Sequence, residues 1–416
     1  MRGRDVRGYP PGAIPWRAPW DSGPMASGAV RVVWSPEMLG YDFGPGHPMT
    51  SDRLDLTFRL AEQLGVLEGV SYIAPGVASD ELLETVHERD YVRAVREAAE
   101  HGTPDPSRGL GTRDDPVFPH MHDAAARVVA GSVEAARAVW AGEASHAVNL
   151  SGGLHHAMPG AASGFCVYND AAVAIRSMLD AGAERIAYVD VDAHHGDGVQ
   201  AVFWDDPRVL TVSVHETGHV LFPGTGHARE TGGPGGPGAA VNLALPSGTS
   251  DAGWLRAIDA VVPAVVREFA PQVLVTQHGC DSHVMDPLTH LRVSIDAQRL
   301  AASWLHDLAH EVSDGRWLAL GGGGYAFIDV VPRAWTHVLG IAAHAPVDVA
   351  VAVPEPWRDV VRERYGRSGA DRMGDGREPV LRPWSAGYDP ADDVDRAIRA
   401  TRLAAFPLLG LDPDLD

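Results

Sequence analysis

The chain has 416 residues, of which 45% are hydrophobic and 21% are charged, as in a globular protein with a large core. Its 34 basic and 55 acidic residues give a net charge of -21 at pH 7, which argues against nucleic acid or an anionic membrane surface as a partner and suits a lysine-rich protein segment. Two cysteines exclude a disulfide framework and favour a reducing cytoplasm, and no apolar run approaches the roughly 20 residues of a membrane span.

The pattern of the chain predicts three regions. Residues 1–28 are rich in proline and arginine without an apolar segment, which predicts a disordered extension and no secretory signal. Residues 29–345 are expected to form the catalytic domain. Residues 346–416 turn proline- and charge-rich and are expected to form a helical and irregular extension that packs on this domain or trails from it.

Predicted strands and helices alternate along the chain. The strands are expected at 30–34, 146–150, 186–189, 209–215, 241–245, 272–277 and 317–320. The helices are expected at 51–64, 88–100, 120–141, 170–181, directly after 198, and at 251–269, 296–313, 356–366 and 391–404. A long loop is expected at 102–119. This alternation predicts an α/β fold with a central, mostly parallel sheet and helices on both faces.

The stretch at 186–198 is the centre of the predicted function. It begins as a buried strand and ends in a group of acids and histidines. Because side chains alternate along a strand, Asp190, Asp192 and His194 are expected to project to one side, as a divalent metal requires. Gly196 and Gly198 would then let the backbone turn tightly into a helix. Taken alone, the motif is equally typical of an ordinary strand-to-helix turn with an aspartate N-cap.

Three other predicted strands also end in reactive side chains. His155 and His156 follow the strand at 146–150, Asp281 follows the strand at 272–277, and Tyr325 follows the strand at 317–320. Ligands of parallel α/β sheets bind just outside the carboxyl ends of the strands, so these side chains are expected to meet. The predicted metal ligands are Asp192, His194 and Asp281, with a fourth position open to water, which suits catalytic Zn²⁺ or, as a substitute, Fe²⁺.

This set of residues predicts metal-assisted hydrolysis. A bound metal lowers the pKa of water and polarises a carbonyl. Two adjacent histidines can divide the proton transfers if carboxylates fix their tautomers, and Asp190 and Asp197 are the natural partners. Tyr325, carried on a run of four glycines, can donate a hydrogen bond to the developing oxyanion. The run lacks the Lys-Ser/Thr pair of a Walker motif, so we exclude a nucleotide site.

Together these motifs resemble the histone deacetylase family, specifically its bacterial acetoin-utilisation type. The matching strings fall in the family's order and cover roughly residues 30–345: GHP at 46–48, GLHHA at 153–157, SGFC at 163–166, DVDAHHGDG at 190–198, FPGTG at 222–226 and GGGGY at 321–325. The resemblance implies a single-domain arginase/deacetylase-like fold and hydrolysis of N-acetyl-lysine in proteins to lysine and acetate.

The resemblance also implies roles for individual residues. The metal ligands would be Asp192, His194 and Asp281. His155 would pair with Asp190 and tune His156 electrostatically. His156, paired with Asp197, would act as base and acid, and Tyr325 would polarise the carbonyl. The implied substrate-binding residues are the tunnel walls Phe165 and Phe222 with Gly164, the rim residues Asp114 and Leu288, and the internal-channel residue Arg53.

Structural potassium is implied as well. The expected ligands of one K⁺ ion are backbone carbonyls of Asp190, Asp192, His194 and Val214 with the Ser213 hydroxyl, and those of a second are Phe203, Asp206 and Val209. His278 and Cys280 depart from the family's pattern and are expected near the pocket floor. Cys166 and Cys280 flank the expected site, and we favour two small buried side chains over a redox pair.

Other functions remain open at this stage. The same chemistry suits an acetylpolyamine or another small acylamine as substrate. An arginase-type dinuclear manganese ureohydrolase would share the fold but needs further bridging ligands, and a non-catalytic acyl-lysine binder would be expected to lack the base or the tyrosine. Among protein substrates, the acetoin-type resemblance implies acyl-CoA synthetases held inactive by acetyl-lysine.

Overall fold

The computed structural model describes residues 29–415, so the predicted extension at 1–28 lies outside the described residues. Eight strands form one sheet in the order β2-β1-β3-β8-β7-β4-β5-β6, and every neighbouring pair is parallel. The strands are β1 (Val30–Val33), β2 (Ser71–Ile73), β3 (His146–Asn149), β4 (Ile186–Asp190), β5 (Val209–Glu216), β6 (Ala240–Leu245), β7 (Val273–Gln277) and β8 (Trp317–Leu320). The predicted fold class is confirmed.

Helices cover both faces of this sheet. They are α1 (Asp52–Gln63), α2 (Asp80–Leu83), α3 (Arg89–His101), α4 (Met121–Trp140), α5 (Asp170–Asp180), α6 (Asp197–Phe203), α7 (Asp251–Phe269), α8 (Ile295–Val312), α9 (Val331–Ala342), α10 (Glu355–Tyr365) and α11 (Asp393–Leu409). Short 3-10 turns occupy Pro36–Gly40, Pro106–Arg108 and Trp384–Ala386. The predicted long loop at 102–119 therefore contains one short turn.

The alternation of side chains along the central strands divides the core into two layers. In β4, Ala187 and Val189 face the layer formed with α1, α7, α8 and α9. Ile186 and Tyr188 face the opposite layer, formed with α3, α4 and α5. All four are buried, which explains why this strand reads as a continuous apolar run.

Three elements were missing from the prediction. Helix α9 was missed although its polar residues Arg333, Thr336 and His337 have helical spacing, and it is buried at every position. Strand β2 has only three residues at the edge of the sheet, and α2 has only one turn. Elements this short carry too few residues to establish a period.

The segment after residue 345 packs against the same sheet assembly. The indole nitrogen of Trp357 in α10 donates to the carbonyl of Leu56 in α1 at 2.8 Å. The hydroxyl of Thr401 in α11 donates to the carbonyl of Asn242 in β6 at 2.6 Å. The division of the chain at residue 345 stays a prediction. Among residues 29–415, none of the helices combines the length and the apolar character that a membrane crossing needs.

Candidate active site

The strand order brings the four predicted strand ends together. β3, β8, β7 and β4 are neighbours in the sheet and all run in the same direction, so their carboxyl ends form one continuous edge. His155 and His156 follow β3, Asp192 and His194 follow β4, Asp281 follows β7 and Tyr325 follows β8.

Three of these side chains form a cluster with the size of a metal site. His194 Nδ1 lies 2.9 Å from Asp281 Oδ2 and 3.1 Å from Asp192 Oδ1, and the three ligand atoms all lie within 4.8 Å of one another. All three residues are buried. One imidazole nitrogen therefore faces two carboxylate oxygens at distances typical of atoms that share a metal ion.

The carboxylate oxygens turned away from this cluster are held by the backbone and by one amide side chain. Asp192 Oδ2 accepts from Gln277 Nε2 and from the backbone N–H of Gly323, both at 2.8 Å. Asp281 Oδ1 accepts from the N–H of Ala193 at 2.8 Å. These contacts orient the remaining oxygens toward His194, as outer partners of metal ligands commonly do. The sequence prediction did not include Gln277, although its place at the end of β7 was a usable signal.

The charge of the cluster fits a divalent cation. Within residues 29–415, the ion pairs of Asp192 and Asp281 are formed with histidines alone. Burial, with the neighbouring charge of Asp192, raises the pKa of Asp281 to about 7. Burial lowers the pKa of His194, but the charges of Asp281 and Asp192 more than offset this and raise it well above its usual range, so the pocket favours a positive charge between the two carboxylates. A divalent metal would supply that charge. The donor set of two oxygens and one imidazole suits a catalytic metal with an open position.

The predicted geometry of the central stretch was partly wrong. β4 ends at Asp190, so Asp192 and His194 lie beyond the strand and strand alternation does not orient them. Instead, Asp190 Oδ1 accepts from the N–H of Asp192 at 3.1 Å, and Asp192 Oδ1 accepts from the N–H of His194 at 2.9 Å. Gly196 has a φ of -74°, a backbone conformation that any residue can adopt, so the turn itself does not require glycine. It is needed for space, because a Cβ there would lie 2.6 Å from Asp190 Oδ2.

The two histidines form a chain with two carboxylates. His155 Nε2 lies 3.0 Å from His156 Nε2. His155 Nδ1 lies 2.7 Å from Asp190 Oδ2, and His156 Nδ1 lies 2.7 Å from Asp197 Oδ1. Since a carboxylate only accepts, each Nδ1 carries the proton and each Nε2 points toward the site.

The environment gives the two histidines different pKa values. Burial lowers the pKa of His155, but the charges of Asp190 and Asp192 more than offset this and raise it to about 9. Burial and the adjacent charge of His155 lower the pKa of His156 to about 4. At neutral pH the pair therefore holds one proton beyond its two Nδ1–H groups, on His155 Nε2, which donates to the unprotonated Nε2 of His156 at 3.0 Å.

Tyr325 is positioned by an acid that the sequence prediction missed. Its backbone N–H donates to Asp286 Oδ2 at 2.8 Å, and its ring meets the edge of Phe165 at 5.6 Å. Burial, with the charges of nearby carboxylates, raises the pKa of the phenol well above its usual range, so it stays protonated as a donor. Arg53 is buried, and its Nη1 donates to the carbonyls of Gly322 and Gly324.

Two of the predicted tunnel residues, Phe222 and Gly164, lie against His156, and Phe165 packs on Tyr325. The centre of the Phe222 ring lies 4.9 Å from that of the His156 ring, and Phe222 is 44% exposed. Gly164 has a φ of 55°, and a Cβ there would lie 2.5 Å from His156 Cδ2. The Asp114 carbonyl lies 3.1 Å from His47 Nε2, and the His47 ring packs on Phe165. Asp114 therefore contacts Phe165 indirectly, through His47, and the tunnel roles of these residues stay predictions.

The outermost predicted residue and the predicted potassium ligands lie around this centre. Leu288 is 36% exposed, and its N–H donates to Asp286. Ser213 and Val214 lie on β5, beside the end of β4. The predicted second group follows α6, where the Phe203 carbonyl accepts from the N–H of Asp206, and the Asp206 carbonyl from that of Val209. Their potassium roles stay predictions.

The structure adds a residue that fixes the histidine loop. Asp170 Oδ1 accepts from the N–H of Leu154 at 2.8 Å, and its Oδ2 from the N–H of Gly153 at 3.1 Å. Cys166 and Cys280 are both buried, and burial raises the pKa of both thiols. This favours the interpretation of small buried side chains.

The chain resembles known proteins along most of its length. The family model of the histone deacetylase domain matches residues 47–342. The chain belongs to the histone deacetylase family. It is 44% identical over 331 residues to the acetoin utilization protein AcuC of Bacillus subtilis (strain 168), covering 78% of this chain and 84% of that protein. It is 38% identical over 330 residues to AcuC of Staphylococcus xylosus, covering 78% and 85%.

A solved structure extends the likeness to the fold. The crystal structure of an HDAC homologue complexed with SAHA superposes with a TM-score of 0.78 at 26% identity, covering 90% of this chain and all of that one. The predicted family is confirmed, and the chain is a metal-dependent amidohydrolase of the deacetylase type that acts on acetylated substrates.

Proposed function

We propose that this protein is a zinc-dependent lysine deacetylase that hydrolyses N-acetyl-lysine in proteins to lysine and acetate. The observation that carries the proposal is the joining of two systems at one sheet edge. The buried cluster of Asp192, His194 and Asp281 adjoins the histidine pair, with His155 Nε2 at 4.0 Å from Asp192 Oδ2. Amide hydrolysis needs a metal site and a proton carrier in this proximity.

The residues of the chain divide the proton transfers. A metal held by the cluster would activate water and polarise the amide carbonyl. His156 Nε2, unprotonated at neutral pH, accepts the proton of the attacking water and passes it to the leaving lysine amine. Asp197 holds the ring through Nδ1, and His155, held by Asp190, lies 3.0 Å from His156 and would tune its basicity electrostatically. The protonated Tyr325 donates to the same oxygen.

The walls of the site favour a long, slender acyl-lysine side chain. Phe165 and Phe222 would hold its methylene groups, with Gly164 leaving room beside His156. The exposed Asp114 would hold the peptide backbone at the rim, Leu288 would contact its apolar side chains, and Arg53 would line the inner channel toward acetate release. The net charge of -21 suits a lysine-bearing partner.

The relatives named for acetoin utilization suggest the class of protein substrate. We include acyl-CoA synthetases carrying acetyl-lysine in the proposal, together with a cytoplasmic location, for which the two buried free cysteines speak. Zn²⁺ is the proposed metal with Fe²⁺ as a functional substitute, and structural K⁺ is proposed at the two sites described above.

The test compares rates on an acetyl-lysine peptide and on acetylspermidine, with metal analysis of the same sample. Faster turnover of the peptide is expected. Asp192→Ala should abolish both catalysis and metal at this site, whereas Tyr325→Phe should lower turnover about 10²–10³-fold with the metal retained. Preference for acetylspermidine would replace the protein substrate by a small acylamine, and unchanged turnover of Tyr325→Phe would refute the role of the phenol.

A further inference from the structure

Four histidines form a second cluster at the opposite edge of the sheet, where β3 begins. His146 is the first residue of β3, His306 and His310 lie one turn apart on α8, and His344 follows the end of α9. Their ligand nitrogens all lie within 4.8 Å of one another. Since the candidate active site follows the carboxyl end of β3, this cluster is separated from it by the length of the strand. The chemistry proposed above does not use these residues.

The proton positions in the cluster leave unpaired nitrogens facing each other. His146 Nδ1 lies 2.8 Å from the Ala342 carbonyl, and His306 Nδ1 lies 3.3 Å from Asp307 Oδ1. A carbonyl and a carboxylate only accept, so both Nδ1 atoms carry the proton and both Nε2 atoms are bare in the neutral rings. His310 Nε2 lies 3.1 Å from the first bare nitrogen and 3.2 Å from the second.

One proton cannot satisfy this arrangement. A single N–H on His310 Nε2 can serve His146 or His306, which leaves the lone pair of the other without a donor. Convergent lone pairs of neutral imidazoles are the ligands that a transition-metal ion requires.

We propose that His146, His306, His310 and His344 bind one divalent transition-metal ion of the zinc class. In a tetrahedral zinc site with Zn–N bonds of about 2.0–2.1 Å, ligand nitrogens lie about 3.3–3.4 Å apart, close to the two short distances observed here. The set contains no carboxylate, which disfavours Mg²⁺ and Ca²⁺. Four protein ligands leave no open position, so the site is structural rather than catalytic.

The placement of the ligands provides both anchoring and access. His146 and His306 are buried and are oriented by Ala342 and Asp307, as outer partners orient histidine ligands. His310 is half-buried and His344 is exposed, so an ion can enter from solvent. The bound ion would connect β3, the last turn of α8 and the loop after α9. These elements meet only through packing and hydrogen bonds otherwise, and metal binding would stabilise the folded state.

The test uses tag-free full-length protein and counts bound Zn²⁺ after equilibration with the ion and desalting. The variant Asp192→Ala removes a ligand of the catalytic cluster. The zinc bound at the histidine cluster is then the difference in zinc content between Asp192→Ala and the triple variant Asp192→Ala/His310→Gln/His344→Gln. The expected difference is about one Zn²⁺ per chain. The matched control adds His101→Gln, an exposed histidine at the end of α3, in place of the two cluster changes and should lose no zinc.

A second measurement separates loss of the site from loss of the fold. Zn²⁺ should raise the melting temperature of Asp192→Ala by several degrees and leave that of the triple variant unchanged. The single variant His344→Gln, in an exposed loop, should weaken Zn²⁺ binding at this site at least about tenfold. Equal zinc content in Asp192→Ala and the triple variant would overturn the proposal. So would a melting temperature of Asp192→Ala that does not change when Zn²⁺ is added. Neither readout depends on deacetylase activity.

Discussion

A glycine behind the metal cluster provides a sharp test of the site. Gly279 follows β7, and a Cβ built there would lie 2.5 Å from Asp192 Cγ and nearer still to Oδ2, whereas real Cβ contacts essentially never fall below 3.0 Å. Gly279→Ala should therefore displace the Asp192 carboxylate by roughly 0.5–1 Å and cost about 1–3 kcal/mol of stability through overpacking. A displaced ligand should weaken metal binding about 10–100-fold, and turnover should fall about 10²-fold.

The assay is deacetylase activity titrated against buffered free Zn²⁺, with thermal unfolding of the metal-free protein. Gly76→Ala is the matched control, because a Cβ there would have nothing within 4 Å and activity should be unchanged. The reasoning predicts a shifted metal dependence in Gly279→Ala with the fold retained. If the variant reaches full activity at the same free Zn²⁺ as the original protein, the contact between residue 279 and Asp192 does not limit the metal site.

Three further changes test other parts of the structure. Burial, with the nearby charge of Asp114, raises the pKa of Asp115 to about 8. The folded state therefore binds a proton that the unfolded state releases above about pH 4, and the stability of the original protein falls as the pH rises from about 4 to about 8. Between pH 5 and 8 the free energy of unfolding of Asp115→Asn, measured by urea unfolding, should exceed that of the original protein by up to a few kcal/mol. Asp395→Ala should lower the free energy of unfolding by about 3–5 kcal/mol, because it leaves the Arg256 guanidinium, now 2.5 Å from Asp395, buried without its counter-charge; the same urea titration at pH 7 measures this. Asp190→Asn should lower turnover about 10–100-fold in a steady-state assay, because the charge that keeps His155 protonated is lost.

The sequence predicted the site well wherever a strand end and a reactive side chain coincide. The apolar runs that end at Asp190 and Gln277 located two neighbouring strands, and the rule for parallel sheets then placed Asp192 and Asp281 at one edge. The family resemblance supplied the division of roles between His155 and His156. The placement of these residues at one edge agrees with the structure, whereas their chemical roles await the tests above.

What the sequence did not reveal are contacts that leave no local pattern. Gln277 orients Asp192 and Asp286 orients the loop of Tyr325 from positions distant in the chain. The strand end marks Gln277 as a candidate, but its partner is visible only in the fold, and Asp286 has no such mark. The histidine cluster was missed for a related reason: His146 and His344 are separated by 198 positions, and only the fold unites them with the i, i+4 pair on α8.

The distribution of buried charge explains why the two clusters differ in kind. Asp190, Asp192, Asp197, Asp281 and Asp286 are all buried at the active-site edge, an accumulation of negative charge that a divalent cation would offset. A catalytic cation there would offset the buried negative charge and would also polarise a neutral amide substrate. At the opposite edge the four ligands are neutral imidazoles, so a bound ion would keep its full charge and polarise nothing but its own ligands. A mixed, anionic set with an open position suits chemistry, and a closed, neutral set suits the joining of structural elements.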